Sequence, residues 1–207
     1  MSKGLLIIGA GDLFRGVALQ FVRQQPNRKI EILESKWDEA EELQSGLLDL
    51  YPPADWDLFA ATGMGGMNFV RLGLFSQAKQ RGFKCETFIH PSAVVDPNAT
   101  VGQNCYIGEN VVIEAAARID FNAVIGARSV IAYGAKVGSS AWIGANCFLG
   151  AASSVGSHCV IDVGVMIAAG VKVGKFCNLQ IARNYSVDVP DKTFHHEMFD
   201  QPVRIYA

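Results

Sequence analysis

The sequence predicts a parallel β-helix over its C-terminal half, preceded by a small α/β domain. Three observations carry that expectation. A six-residue repeat runs without a gap from Pro91 to Gln180. Within each copy, the residue types fall where a stacked coil needs them. Ahead of the repeat, apolar strand-like runs alternate with amphipathic helical stretches.

The repeat comprises fifteen hexads, PSAVVD, PNATVG, QNCYIG, ENVVIE, AAARID, FNAVIG, ARSVIA, YGAKVG, SSAWIG, ANCFLG, AASSVG, SHCVID, VGVMIA, AGVKVG and KFCNLQ. Position five is aliphatic in all fifteen, from Val95 to Leu179, and position three is Ala, Ser, Cys or Val in all of them. Neither an amphipathic helix nor simple strand alternation generates a period of six. Three hexads close one triangular coil, and coils stack about 4.8 Å apart, so fifteen hexads predict five coils. The interior is narrow, which calls for one branched and one small inward residue per wall. Position two is Asn or Gly in eight copies and position six is Gly in eight. These residues tolerate the left-handed backbone a sharp corner requires.

Residues 1–88 read as alternating strands and helices. Gly4–Gly9, Lys29–Leu33 and Asp57–Thr62 are the expected strands, and Leu13–Val22, Asp38–Leu48 and Asn68–Arg81 the helices. A short parallel sheet flanked by helices is the economical arrangement. Its first strand runs into Gly9-Ala10-Gly11-Asp12-Leu13-Phe14, a Gly-x-Gly turn that can present N–H groups to a phosphate or serve only as a tight turn.

Composition narrows the function. Half the chain is hydrophobic and 18% is charged, enough for a sizeable core, yet no apolar run approaches the ~18–20 residues that cross a bilayer. Met1-Ser2-Lys3 leads straight into a strand without a signal-peptide pattern, so a cytoplasmic location is expected. Residues 1–88 carry ten Lys and Arg against eleven Asp and Glu, and residues 89–207 carry eight against nine. Neither part has the basic excess of a nucleic-acid binder. The five cysteines form no CxxC pair and no Cys/His set with metal spacing, so no metal is expected. Cys105, Cys147, Cys159 and Cys177 share one repeat phase, where other copies carry Ala, Ser or Val. That phase assigns them to packing.

The repeat resembles the hexapeptide-repeat acyltransferase superfamily across residues 89–180. That resemblance implies left-handed coils, against the usual right-handed crossover, and homotrimers with acyl-CoA lying in grooves between neighbouring β-helices. The flat runs Ala115-Ala116-Ala117, Ala151-Ala152 and Ala168-Ala169-Gly170 suit such lateral packing. The opening phrase Ile89-His90-Pro91-Ser92-Ala93, together with Gly66-Met67-Asn68-Phe69-Val70-Arg71 and Lys79-Gln80-Arg81-Gly82-Phe83, is similar to the sialic-acid O-acetyltransferase and nucleotide-sugar N-acetyltransferase group over nearly the whole chain. The resemblance implies a Rossmann-like substrate domain over 1–88, an acyltransferase domain over 89–184 and a C-terminal tail over 185–207. It implies acetyl-CoA or another acyl-CoA as co-substrate, and a sugar or nucleotide-sugar acceptor for surface polysaccharide. Gly9, Gly11, Asp12 and Asn68 would then meet the acceptor, and Trp142, Lys136, Lys172 and Lys175 the acyl-CoA.

Two departures from the group stand out. The glycine turn continues Asp12-Leu13-Phe14 where many members have Gly-His-Gly. Ser139 occupies the place of the group's histidine base, and a hydroxyl is no general base near neutral pH. His158 is eighteen residues past Ser140, at the same corner one coil on. It is either a relocated base or a corner residue chosen for its tolerance of left-handed backbone. The alternative to an enzyme is a non-catalytic β-helix trimer that has lost its base.

Overall fold

A computed structural model of the chain describes residues 3–34, 46 and 48–205. The chain divides into two compact units, Met1–Phe88 and Ile89–Ala207.

The first unit is built on β1 (Gly4–Ala10), whose seven residues are all buried. It lies between β2 (Ile30–Glu34) and β3 (Trp56–Thr62), and both pairings are parallel. Side chains alternate across a strand. Leu6, Ile8, Leu58 and Ala60 therefore pack with Leu74, Phe75 and Ala78 of α2 (Phe69–Gln80) on one face. On the other face, Phe21 of α1 (Gly11–Gln24) meets Phe59 edge-on at 5.3 Å. The helix expected over 38–48 lies outside the described residues except at positions 46 and 48, and Leu48 opens a 3₁₀ turn, Leu48–Leu50. A second such turn, Gly65–Asn68, precedes α2.

The second unit is a parallel β-solenoid of two-residue strands on three walls. Each strand pairs with the one eighteen residues on, as in Val124 with Trp142, Val130 with Phe148 and Lys136 with Ser154. The inward residues of positions three and five form one continuous core from Cys105 to Leu179. The predicted five coils become about six. One wall stacks eight strands, because Phe88–Ile89 precedes the first hexad and Thr193–His195 and Val203–Arg204 follow the last; a second wall stacks six, ending in Asn184–Tyr185, and the third keeps five. Those outer strands lack the hexad spacing, so counting hexads misses them. The final strand, Val203–Arg204, turns back antiparallel on Thr193–His195.

The corners divide the labour between Asn and Gly differently from the expectation. Position two is left-handed in every hexad from the third to the last, from Asn104 (φ 55°) to Phe176 (φ 57°), and this includes Ala116, Arg128 and His158. The glycines of position six serve close approach instead. A Cβ on Gly138 would lie 2.6 Å from the Ser157 nitrogen, and one on Gly126 would lie 2.6 Å from Ala145 nitrogen. Coils stacked at strand spacing leave no room for a side chain there.

Candidate functional site

One edge of the solenoid gathers most of the expected acyl-transfer residues. The strand Lys136–Val137 ends one wall, Gly138–Ala141 forms the corner, and Trp142–Ile143 begins the next wall. Lys136 and Trp142 therefore flank the corner that holds Ser139. Directly above, Ser154 pairs with Lys136 and Val160 with Trp142, which stacks Ser157 and His158 over Ser139 and Ser140. One coil further, Lys172 pairs with Ser154, and Lys175 and Phe176 occupy the same corner. The edge thus unites Lys136, Ser139, Trp142, His158, Lys172 and Lys175.

At its centre the Ser139 hydroxyl donates to Ser157 Oγ at 3.1 Å, and the His158 amide donates to the Ser139 carbonyl at 3.0 Å. His158 is left-handed (φ 59°), buried to 8% exposure, and its ring stacks on Phe176 at 5.2 Å and 13°. Beneath it runs a ladder of position-two side chains. Asn104 Nδ2 donates to Asn122 Oδ1 at 2.8 Å, and Asn122 Nδ2 donates to Ser140 Oγ at 2.9 Å. His158 therefore sits on a corner column whose lower members are satisfied by one another.

The same wall carries a cationic outer row that residue-by-residue reading misses. Arg118, Lys136 and Lys172 share one column with Ser154, all in register. Like charges directly across a sheet repel, so the row suits an anion. Arg118 and Ser157 were both legible in the sequence, as the residues eighteen positions from Lys136 and Ser139. The thiols behind the edge, Cys159 and Cys177, are fully buried and out of a substrate's reach. Burial pushes Cys147 up to about 11. A hydrogen bond to Cys177, and then burial, raises Cys159. Among the described residues, no group of three His, Cys, Asp or Glu side chains could hold a metal.

In the first unit the Gly-x-Gly turn connects β1 to α1. A Cβ on Gly9 would overlap the Ala61 carbonyl, and Gly11 is left-handed at φ 81°. The helix cap, Ala10, supplies no side-chain hydrogen bond, so the first-turn N–H groups are left to other acceptors. Asp12 lies fully in solvent, 3.9 Å from Arg15. Asn68 is fully buried, and Arg71, itself 1% exposed, donates to Asn68 Oδ1 at 3.2 Å and to the Thr62 carbonyl at 3.3 Å. Thr62 pairs with Ala10, so Arg71 and Thr62 join Asn68 at the strand ends beside the turn. Neither was singled out as a site residue from the sequence. An Arg set among Phe69, Val70, Leu72 and Leu74 was the available signal.

Residues 83–193 match the GMPPB C-terminal domain, and the chain belongs to that family. No curated protein matches the chain. Among solved structures it is similar to PerB from Caulobacter crescentus in complex with CoA and GDP-perosamine, at 24% identity and a TM-score of 0.78 over 93% of both chains. It is also similar to the acetyltransferase domain of PglB from Neisseria gonorrhoeae FA1090, at 20% identity and a TM-score of 0.78, covering 93% of this chain and 96% of that one. The same domain in complex with acetyl coenzyme A aligns at 22% identity with a TM-score of 0.66 over 94% and 96% of the two chains. These likenesses establish a shared left-handed β-helical fold.

Proposed function

We propose that the protein is an acyl-CoA-dependent acetyltransferase acting on a sugar or nucleotide-sugar, by O- or N-transfer, in the cytoplasmic stage of surface polysaccharide synthesis. The observation that carries this reading is the single solenoid edge on which Lys136, Ser139, Trp142, His158, Lys172 and Lys175 converge. The ligands named for PerB, CoA and GDP-perosamine, support the choice of substrates. Residues 1–88 serve as a Rossmann-like acceptor domain, 89–184 as the transfer domain and 185–207 as its closing tail, in a homotrimer.

Acyl transfer to an amine or hydroxyl needs positioning, an oxyanion donor and a base. The acceptor attacks the thioester carbonyl, whose oxygen gains charge, and coenzyme A leaves as its sulfur takes up a proton. Lys136, Lys172 and Lys175 meet the phosphates of the co-substrate, and Trp142 packs on its pantetheine arm. His158 takes the acceptor's proton. The amides of the first turn of α1, which Gly11 opens, hold the acceptor's phosphate beside the turn that Gly9 makes possible, Asp12 reaches its sugar, and Asn68 with Arg71 fixes the turn from behind. An amine delivered neutral makes a smaller demand on the base, which suits a corner where Ser139 replaces the usual histidine.

The test is acetyl-CoA binding, followed by turnover on a panel of nucleotide-linked amino sugars, for the wild type and His158→Asn. Asparagine already fills this corner position at Asn104, Asn122 and Asn146, so the fold survives the change. A rate loss of about 10²–10⁴-fold at unchanged acetyl-CoA affinity is expected. Undiminished turnover would remove His158 from the chemistry, and absence of acetyl-CoA binding at about 1 mM would sink the enzyme reading.

One observation favours a second reading, a non-catalytic β-helix trimer. The Ser139 and Ser157 hydroxyls bond each other, and the buried His158 ring lies flat against Phe176. Under that reading the edge is packing alone, and acetyl-CoA leaves no calorimetric signal.

A further inference from the structure

We infer that the C-terminal end of the β-helix carries an oxyanion-binding pocket, separate from the acyl-transfer edge, that takes a small phosphate- or carboxylate-bearing ligand through Arg183 and Arg204. A solenoid must finish somewhere, and its last layer must be covered. Here Tyr185 and Val189, 3% and 6% exposed, are the final residues of the continuous core. The chain then turns back through the antiparallel pair Thr193–His195 and Val203–Arg204. Between that hairpin and the segment 183–190 lies a cavity of about 390 Å³. Its volume is within the range of small-molecule sites.

The lining divides by chemistry. Val187, Val189, Pro190, Pro202 and Val203 make an apolar wall, and Arg183, Tyr185, Asp188, Thr193, His195 and Arg204 make the polar one. Most polar groups are already committed. Thr193 Oγ1 donates to the Pro190 carbonyl at 2.6 Å, Tyr185 Oη donates to the Ile181 carbonyl at 3.2 Å, and Asp188 Oδ1 accepts from the Lys172 amide at 2.8 Å. The guanidinium groups are not matched in the same way. Arg183 donates to His195 Nδ1 at 3.1 Å and lies over the Tyr185 ring at 4.7 Å, and neither partner is an anion. Among the described residues, neither Arg183 nor Arg204 forms a salt bridge.

Two arginines therefore line one cavity, and Asp188, the one carboxylate among its described lining residues, is already held by a backbone amide. The planar fork recognises phosphate and carboxylate oxygens in pairs. His195 supports the same conclusion. Burial, and secondarily the Arg183 charge, lower its pKa, so near neutral pH its Nδ1 is free to accept the Arg183 proton and aim the fork. An anion between the two arginines would reverse part of that effect and raise His195.

The experiment is calorimetric titration of the full chain with inorganic phosphate, pyrophosphate and malonate, alongside NMR titration of the His195 imidazole. Pyrophosphate or malonate is expected to bind and to raise the His195 pKa. Arg183→Gln and Arg204→Gln should each weaken binding at least tenfold, and the double variant should abolish the His195 shift. Arg183→Lys, which keeps charge but not the fork, should weaken binding as well while preserving the contact with Tyr185. Competition by coenzyme A in the wild type would overturn the pocket's independence of the acyl-transfer edge, and indifference to coenzyme A would support a separate small anion. The inference is overturned if none of the probes binds at about 10 mM, or if binding persists unchanged in the double variant.

Discussion

Arg128 and Gly138 show how tightly one residue is constrained by its place in the hexad. Arg128 is an exposed, left-handed corner residue at φ 59°, where Asn or Gly would be at ease. Arg128→Asn should stabilise the protein by about 1 kcal/mol, because the left-handed backbone costs most side chains roughly 1–2 kcal/mol. Thermal unfolding would show a rise of a few degrees, and an unchanged midpoint would mean the corner tolerates arginine freely. Gly138 is the opposite case, since a Cβ there meets the Ser157 backbone at 2.6 Å. Gly138→Ala should cost about 1–3 kcal/mol through overpacking, visible as a lower denaturant midpoint with the same slope. The buried thiols give the alkaline limit. Burial raises Cys85 and Cys147 from 9.0 to about 11. A raised folded-state value adds stability that is fully present below the unfolded value and lost as pH climbs through the folded one. Stability should therefore hold up to pH 9 and fall between 9 and 11, and Ser replacements at both positions should flatten that decline.

At the scale of the element, legibility depended on whether a feature repeats. The walls were readable because every coil restates the same two inward positions, and the eighteen-residue register followed directly. The end strands Phe88–Ile89 and Thr193–His195 were not readable, since their pairing comes from proximity to an existing edge rather than from the hexad. Position-six glycine was readable as a pattern but not as a cause, because close approach of the next coil is visible only in three dimensions. The same holds for Arg28. Nothing in the sequence marks it, yet it ties β1, α1 and β3 together. Its guanidinium donates to the carbonyls of Lys3 and Gly4, to Gln25, and to the carboxylates of Asp57 and Glu86 at 2.9 and 3.0 Å. The Arg28 and Asp57 side chains are only 13% and 8% exposed. Removing the arginine strands two largely buried carboxylates, so Arg28→Ala should cost about 3–5 kcal/mol. Arg28→Lys should recover little, because one ammonium cannot serve five acceptors. Urea unfolding of both variants tests this, and a loss under 1 kcal/mol would show the network to be dispensable.

The solenoid's outer walls differ in character, and that difference bears on assembly. One wall presents Arg118, Lys136 and Lys172, which water or an anionic ligand can satisfy. Another presents Val94, Val112, Val130, Phe148 and Met166 in a single outward column. Val94, Phe148 and Met166 in that column are 63%, 40% and 45% exposed. A contiguous apolar column on a folded surface is what an association face looks like, and closed rotational symmetry would bury it once per subunit. The proposed trimer predicts a solution mass three times the 22.3 kDa chain, measured by sedimentation or light scattering. Replacing Phe148 and Met166 together by Glu puts two charges into that column without touching the inward core, since both occupy outward strand positions. The double variant should run as a monomer with an unchanged circular dichroism spectrum, and should lose transfer activity if the acyl-CoA groove needs a neighbouring chain. A wild-type mass of one chain would leave the apolar wall exposed in solution, and every step that relies on a groove between subunits would fall with it.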